Sequence, residues 1–277
     1  MKNIIEKMST PVNLVEAFRR RNGTWFARIN GMRTLKRNHP PIADIGWGYL
    51  GTINTYSYNN ASAHVKAYAN KLAARRHLQI HGISVPKSLF YGDTATEGVT
   101  YVVRPSYHQA GSNTTVRVGP FYVEHGTYAS ELVKKKREFR IHVAHGKVLA
   151  CQEKVPREES RREDVVWNHH NGGFVFEVLK WKRWPIKACI EAIKAVESLG
   201  YTWGAVDVCY DENKTPYVFE VNSSPSLNEY MTEKYAKYFD LILSEQVNAY
   251  PAEESSSATG YGGVILKEVN YGNCDRE

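Results

Sequence analysis

The segment from Gly204 to Asn228, GAVDVCYDENKTPYVFEVNSSPSLN, constrains this chain more than any other. Its flanks AVDVCY and YVFEVN alternate with period two around Asp211, Asn213 and Pro216, the pattern of a β-hairpin. Pairing Tyr210 with Tyr217 sets Val208 against Phe219, Asp207 against Glu220, Val206 against Val221 and Ala205 against Asn222. One face is then apolar (Val206, Val208, Tyr210, Tyr217, Phe219, Val221). The other carries Asp207, Cys209, Val218, Glu220 and Asn222. A slip of one residue would bury both carboxylates, so the register is strongly specified. Directly opposed side chains have Cβ atoms about 4.5–5.5 Å apart, and like charges so placed destabilise a sheet unless a cation compensates them. Two acids and an amide carbonyl suit magnesium, which favours oxygen ligands at about 2.0–2.1 Å and takes the rest from water and phosphates. A solvated sheet face bearing ordinary surface acids has the same pattern.

The rest of the chain limits what such a hairpin can belong to. Its 277 residues suffice for two lobes or one large α/β domain, and 42% hydrophobic with 23% charged residues is ordinary globular composition. The net charge of +7 favours anionic partners. No apolar run reaches membrane-span length, and MKNIIEKMSTPVN lacks a signal peptide's apolar stretch, so a cytoplasmic protein is expected. Cys151, Cys189, Cys209 and Cys274 form no Cys-x-x-Cys pair or zinc-like grouping, and no His-Glu-x-x-His occurs, which argues against a zinc hydrolase.

The elements alternate without internal repeat. Residues 62–81 are expected to form one alanine-rich helix, with Ser62 as N-cap and Gly82 beyond its end. ISVPKSLFYG and VTYVVRPS read as strands, and ASELVKKKREFRIHVAHGKVLACQEKV as two strands joined at His145-Gly146. The run REESRRED at 157–164 reads as an exposed loop. Pro185 opens a helix with Ile186, Ile190, Ile193, Val196 and Leu199 on its inner face and Gly200 as its stop. A helix near 232–247 turns Tyr235, Tyr238, Phe239 and Ile242 inward. These elements divide into a short N-terminal lobe (1–60), a first lobe with a phosphate loop (61–130), a second with the metal site (131–250) and a tail (251–277).

Four motifs over about residues 65–230 resemble the ATP-grasp superfamily of carboxylate–amine ligases, which includes D-alanine–D-alanine ligase, glutamate-adding ligases and phage-encoded proteins. Asn70-Lys71 before GISVPKSLF is similar to its lysine-bearing helix, and YVVRPSYHQAGSNTTV to its phosphate-covering loop, with Arg104 where lysine is usual. SELVKKKREFRIHV resembles its hinge, and the hairpin matches its metal site. The resemblance implies an α/β fold with two antiparallel-sheet-plus-helix lobes holding ATP between them. It assigns Lys71, Arg104 and Ser112 to the phosphates, and Glu131, Leu132, Val133 and Glu138 to the adenosine, with Glu138 favoured over Glu131. Mg²⁺ falls to Asp207, Glu220 and Asn222. Lys134, Lys135, Lys136 and Arg137 are expected to form a solvated rim.

One departure stands out. Several members carry an arginine where this chain has Ala205, and Arg140, Arg157, Arg161 or Arg162 would have to replace it; Arg140, with Arg104, is assigned a catalytic role. Asn168, His169, His170 and Asn171 line the acceptor side or make a polar turn. The implied reaction is phosphorylation of a carboxylate by ATP and attack of an amine, or a thiol, on the acylphosphate. Its partner would be a small molecule or peptide, with no membrane involved. A small-molecule kinase of the same fold, or a non-catalytic nucleic-acid binder relying on the basic charge, are the alternatives.

Overall fold

The computed structural model describes residues 44–45, 57–58, 62–106, 113–159, 161 and 173–249. Two antiparallel sheets carry the fold. A four-stranded sheet contains β3 (Ser88–Leu89), β4 (Thr100–Pro105), β5 (Thr115–Val118) and β6 (Thr127–Glu131) in the order β3-β6-β4-β5. A five-stranded sheet contains β7 (Arg137–Ala144), β8 (Lys147–Pro156), β9 (Phe174–Val178), β10 (Trp203–Tyr210) and β11 (Pro216–Asn222) in the order β11-β10-β7-β8-β9. Two-residue strands β1 (Asp44–Ile45) and β2 (Ser57–Tyr58) form a separate parallel pair. Among the described residues the α-helices are α1 (Ser62–Tyr68), α2 (Lys71–Ile80), α3 (Ile186–Ser198) and α4 (Glu229–Ala249). Among the described residues no helix is long and apolar enough to cross a membrane.

The larger sheet has one apolar face and one polar face. Phe139, Ile141, Val143, Val206, Val208 and Val218 meet Ala188, Ala192, Ala195 and Val196 of α3 in one buried cluster. Helix α4 covers only the far end of the other face, packing Met231, Tyr235 and Phe239 against Ala144, Ala150 and Trp203. The remainder of that face carries polar side chains, buried or partly buried, and the smaller sheet has its own core of Tyr101, Phe121, Val123 and Ala129.

Several expected boundaries shift. The alanine-rich run is two helices, because Asn70 is extended (φ −73°, ψ 109°) and its side chain accepts bonds from the Leu72 and Ala73 amides at 3.0 and 3.2 Å. Asparagine is a strong N-cap and a weak mid-helix residue, so the chain restarts there. Only Ser88–Leu89 of ISVPKSLFYG is strand, and the start of the ASELVKKK stretch belongs to β6. The His145-Gly146 turn is as expected, with both residues at positive φ (43° and 67°) in the manner of a two-residue hairpin loop. Ile186 and Ile190 are exposed (64% and 45%) instead of inward, because α3 approaches the sheet through its alanines. Tyr235 and Phe239 are buried and Tyr238 partly so, as expected; the Ile242 side chain, Cys274 and most of residues 1–60 and 251–277 lie outside the described residues.

Candidate functional site

The register of the larger sheet arranges its polar face, which is open in that no strand or described helix but α4 packs on it, as a grid. Across one row lie Phe176, Lys154, Glu138, Cys209 and Tyr217; across the next, Val178, Gln152, Arg140, Asp207 and Glu220. A third row brings His142 beside Ala205 and Asn222. Asp207 therefore opposes Glu220, and Ala205 opposes Asn222, as the alternation implies. Beyond that point the pairing departs from expectation. A β-bulge after Asp207 sets Val208 against Val218 and Cys209 against Tyr217, leaving Phe219 as the extra residue. Val218 is buried in the α3 core, and the Phe219 ring lies 5.9 Å from the Lys135 ammonium on the open side. Both are on faces opposite to those the regular ladder assigns, and so is Tyr217, which stands against Cys209 instead of on the apolar face.

Each acid of this face is held by a cation of the same chain. Arg140 donates from Nε and Nη2 to the two Asp207 oxygens at 2.8 and 2.9 Å, and its guanidinium lies 4.6 Å from the Phe176 ring. Burial opposes the Arg140 charge, but Asp207 outweighs it and raises the pKa above the ordinary arginine value. Lys71 bonds the Glu220 carboxylate directly. Buried Glu138 accepts from Lys135 at 2.9 Å and from Lys154. Desolvation acts against the Glu138 charge, yet the two lysines hold its carboxyl below the usual range.

Helix α2 and strand β4 bring further basic groups to the same place. Lys71 is the first residue of α2, and its amide donates to the Ser106 carbonyl at 3.1 Å, tying the helix start to the end of β4 beside Arg104. One turn on, buried Arg75 donates to the Val218 and Phe219 carbonyls at 2.9 and 2.6 Å. Arg104 and Glu220 both lie within electrostatic range of it.

Not every expected residue joins this group. The Glu131 carboxylate is turned to Lys87 at 3.4 Å, and with Leu132 and Val133 it borders a recess of about 220 Å³ whose far wall includes Asp211 and Tyr217. Lys135 is no solvated rim residue: its side chain is 9% exposed in the pair with Glu138, and Arg137 forks onto Glu153 at 2.6 and 2.7 Å. Of the four arginines considered for the gap at Ala205, Arg140 stands beside Asp207 and Arg161 packs over Gly173. Arg162, Ser112 and Asn168 to Asn171 lie outside the described residues. Reading the sequence missed Arg75, Phe219, Lys154, Gln152 and His142. A signal for Arg75 existed, since Leu72, Arg75 and Leu78 recur every three residues on one helical stripe.

The donor set fits a hard cation. Among the described residues no group of three His, Cys, Asp or Glu side chains converges as a metal cage. Asp207, Glu220 and Asn222 offer two carboxylates and an amide, the sparse oxygen set that magnesium completes with water and phosphate.

No family model matches the sequence, and no curated protein matches it. Solved structures do share the fold. D-alanine–D-alanine ligase from Bacillus anthracis is similar over 70% of this chain and 71% of that one, at TM-score 0.50 and 14% identity. The ATP-grasp ligase PsnB complexed with minimal precursor is similar over 68% of this chain, at TM-score 0.51 and 15% identity, and the match spans 65% of the PsnB chain. PsnB complexed with a phosphomimetic variant of that precursor, Mg and ADP matches at TM-score 0.50 and 15% identity, over 69% of this chain and 63% of that one.

Proposed function

From the ATP-grasp fold that this chain has, we infer that the protein is an ATP-dependent ligase joining a carboxylate to an amine through an acylphosphate. The observation that carries this reading is the open face itself. Asp207, Glu220 and Asn222 stand in register, with Arg140 and Lys71 already on the two carboxylates. In such a reaction a carboxylate oxygen forms a bond to the γ-phosphorus of ATP as ADP leaves. The amine then attacks the acyl carbon, losing a proton, and phosphate departs. Two anions must meet, so the protein's task is alignment and charge neutralisation.

The residues fit those tasks. Magnesium, bound by Asp207, Glu220 and Asn222, would neutralise the β- and γ-phosphate charge. Arg140 and Lys71, released from their carboxylates, then have anionic oxygens to fork onto or contact. Arg140 thereby supplies the charge that Ala205 cannot, and Arg104 acts with Lys71 on the phosphate tail. Glu138 and the hinge residues Leu132 and Val133 take the adenosine, with Glu131 at its edge. The division at residues 61–130 and 131–250 belongs to the same proposal.

A small molecule or peptide is the favoured substrate, since the basic run 134–137 that would suit nucleic acid is partly consumed by Glu138 and Glu153. Buried free thiols at Cys151, Cys189 and Cys209 support a cytoplasmic setting.

The test is magnesium-dependent ADP release over a panel of amino acids, peptides and polyamines. Glu220→Gln should lower it by about 10²-fold or more, the scale of losing one electrostatic contact to developing charge. Failure of the purified protein to bind ATP in the presence of magnesium would overturn the reading.

A further inference from the structure

We propose that Arg75 is a positioning residue that holds the β11 bulge and thereby turns Phe219 into the nucleotide cleft. Strand β11 is an edge of the five-stranded sheet, so among the described residues one side of its backbone has no strand partner. At the bulge that side is met by other groups. The Val218 amide donates to the Ser84 carbonyl at 2.7 Å, and the Val218 and Phe219 carbonyls accept from Arg75 at 2.9 and 2.6 Å.

Arg75 is only 3% exposed and makes no ion pair among the described residues. Burial pulls its pKa down to about 10, which leaves it charged at neutral pH. A buried guanidinium without an acid is costly unless its donors are used, and the two bulge carbonyls are where they are used.

The sequence itself prefers the regular ladder. Period-two alternation sends Phe219 to the core and Val218 to the cleft, the reverse of what is observed. Unbulging by moving the far half of the strand would instead set Glu220 against Val206 in the apolar layer. The bulge therefore decides between Val218 and Phe219, and Arg75 bonds both residues at issue. It sits one helical turn after Lys71, so a single helix both contacts Glu220 and sets the residue beside it. This proposal rests on the reading of the face as a nucleotide site for its consequence, though not for its geometry.

Two measurements test it on the full-length protein. Backbone nuclear Overhauser contacts report the register without any ligand. Contacts between Val208 and Val218 should persist in Arg75→Lys, and in Arg75→Met should give way to contacts between Val208 and Phe219. ADP affinity in the presence of magnesium reports the consequence. Arg75→Met and Phe219→Ala should each weaken it about tenfold, and the double variant no further than either single one, while Arg75→Lys stays within about threefold. An unchanged Val208–Val218 contact in Arg75→Met overturns the proposal. So does an additive loss in the double variant, which would mean that Arg75 acts by its charge on phosphate. If the wild type binds no ADP with magnesium present, the nucleotide reading fails, while the register measurement still decides the role of Arg75.

Discussion

Arg140 and Asp207 show how much of this site's chemistry is stored in pairs. Their side chains are 15% and 14% exposed, so removing one partner leaves the other charge in a poorly solvated place. Breaking a buried pair in this way costs about 3–5 kcal/mol, whereas replacing both partners is often close to neutral. Arg140→Met is therefore expected to lose about 3 kcal/mol in urea unfolding, and Arg140→Met with Asp207→Leu to recover most of it. His142 gives the fold its acid limit. It is fully buried, with Nε2 3.1 Å from Gln152 Oε1 and Nδ1 3.3 Å from the Tyr235 hydroxyl, and burial pushes its pKa down to about 4. An unfolded histidine titrates near 6.5, so protonation favours the unfolded chain. The stability from a neutral His142 is complete above about pH 6.5 and falls away toward pH 4, by up to about 3 kcal/mol. Urea midpoints between pH 4 and 7 should show this slope, flattened in His142→Gln. Glu138, held below the usual carboxylate range, adds a loss at still lower pH that both proteins share.

Helix α3 illustrates where an element's pattern misleads. Its isoleucines spaced four apart look like a core stripe, yet the helix seats through Ala188, Ala192 and Ala195, each 0% exposed. Ile186→Glu should change stability by less than about 0.5 kcal/mol. Ala192→Leu, which forces bulk between helix and sheet, should cost about 1–3 kcal/mol. Thermal unfolding of the two variants separates these outcomes. At the start of α2, Asn70→Ala removes a cap worth about 1 kcal/mol and loosens the residue that carries Lys71. The ATP KM is expected to rise several-fold while the turnover rate changes less. The same elements mark what the sequence makes legible. Alternation in AVDVCY and YVFEVN placed Asp207, Glu220 and Asn222 correctly, because slipping either acid into the apolar layer is prohibitive. It misplaced Tyr217, Val218 and Phe219, because the bulge that sets their sides is held by Arg75, more than a hundred residues away in sequence. The restart at Asn70 had a local signal, a capping asparagine inside the run, which the alanines on both sides masked because they propagate a helix with or without the break.

At the scale of the whole molecule, local patterns placed the strand pair joined at His145-Gly146 and the hairpin of β10 and β11, whereas the pairings of β7 with β10 and of β3 with β6 join strands far apart in the chain and were not legible. The meeting of Lys71 with the hairpin was legible only by resemblance, and that of Arg75 not at all, since helix and sheet come together through tertiary contacts that no local period encodes. The internal pairs also bear on ligand-induced stability. Magnesium alone must displace Arg140 or Lys71 and leave it without an anion, so it should shift the melting temperature little. ADP and magnesium together, at about a hundred times their dissociation constant, should stabilise by about 2.7 kcal/mol. For a chain of 277 residues that is a rise of several degrees, read by differential scanning fluorimetry. The paired site also sets terms for inhibitor chemistry. A cleft whose lysine and arginine already hold carboxylates offers little to a bare polyanion, which would have to strand Asp207 and Glu220 to capture their partners. A compound joining an acidic head to a cationic arm could exchange both partners at once, and selectivity for this protein should follow from spacing those two charges to the distance between Arg140 and Glu220.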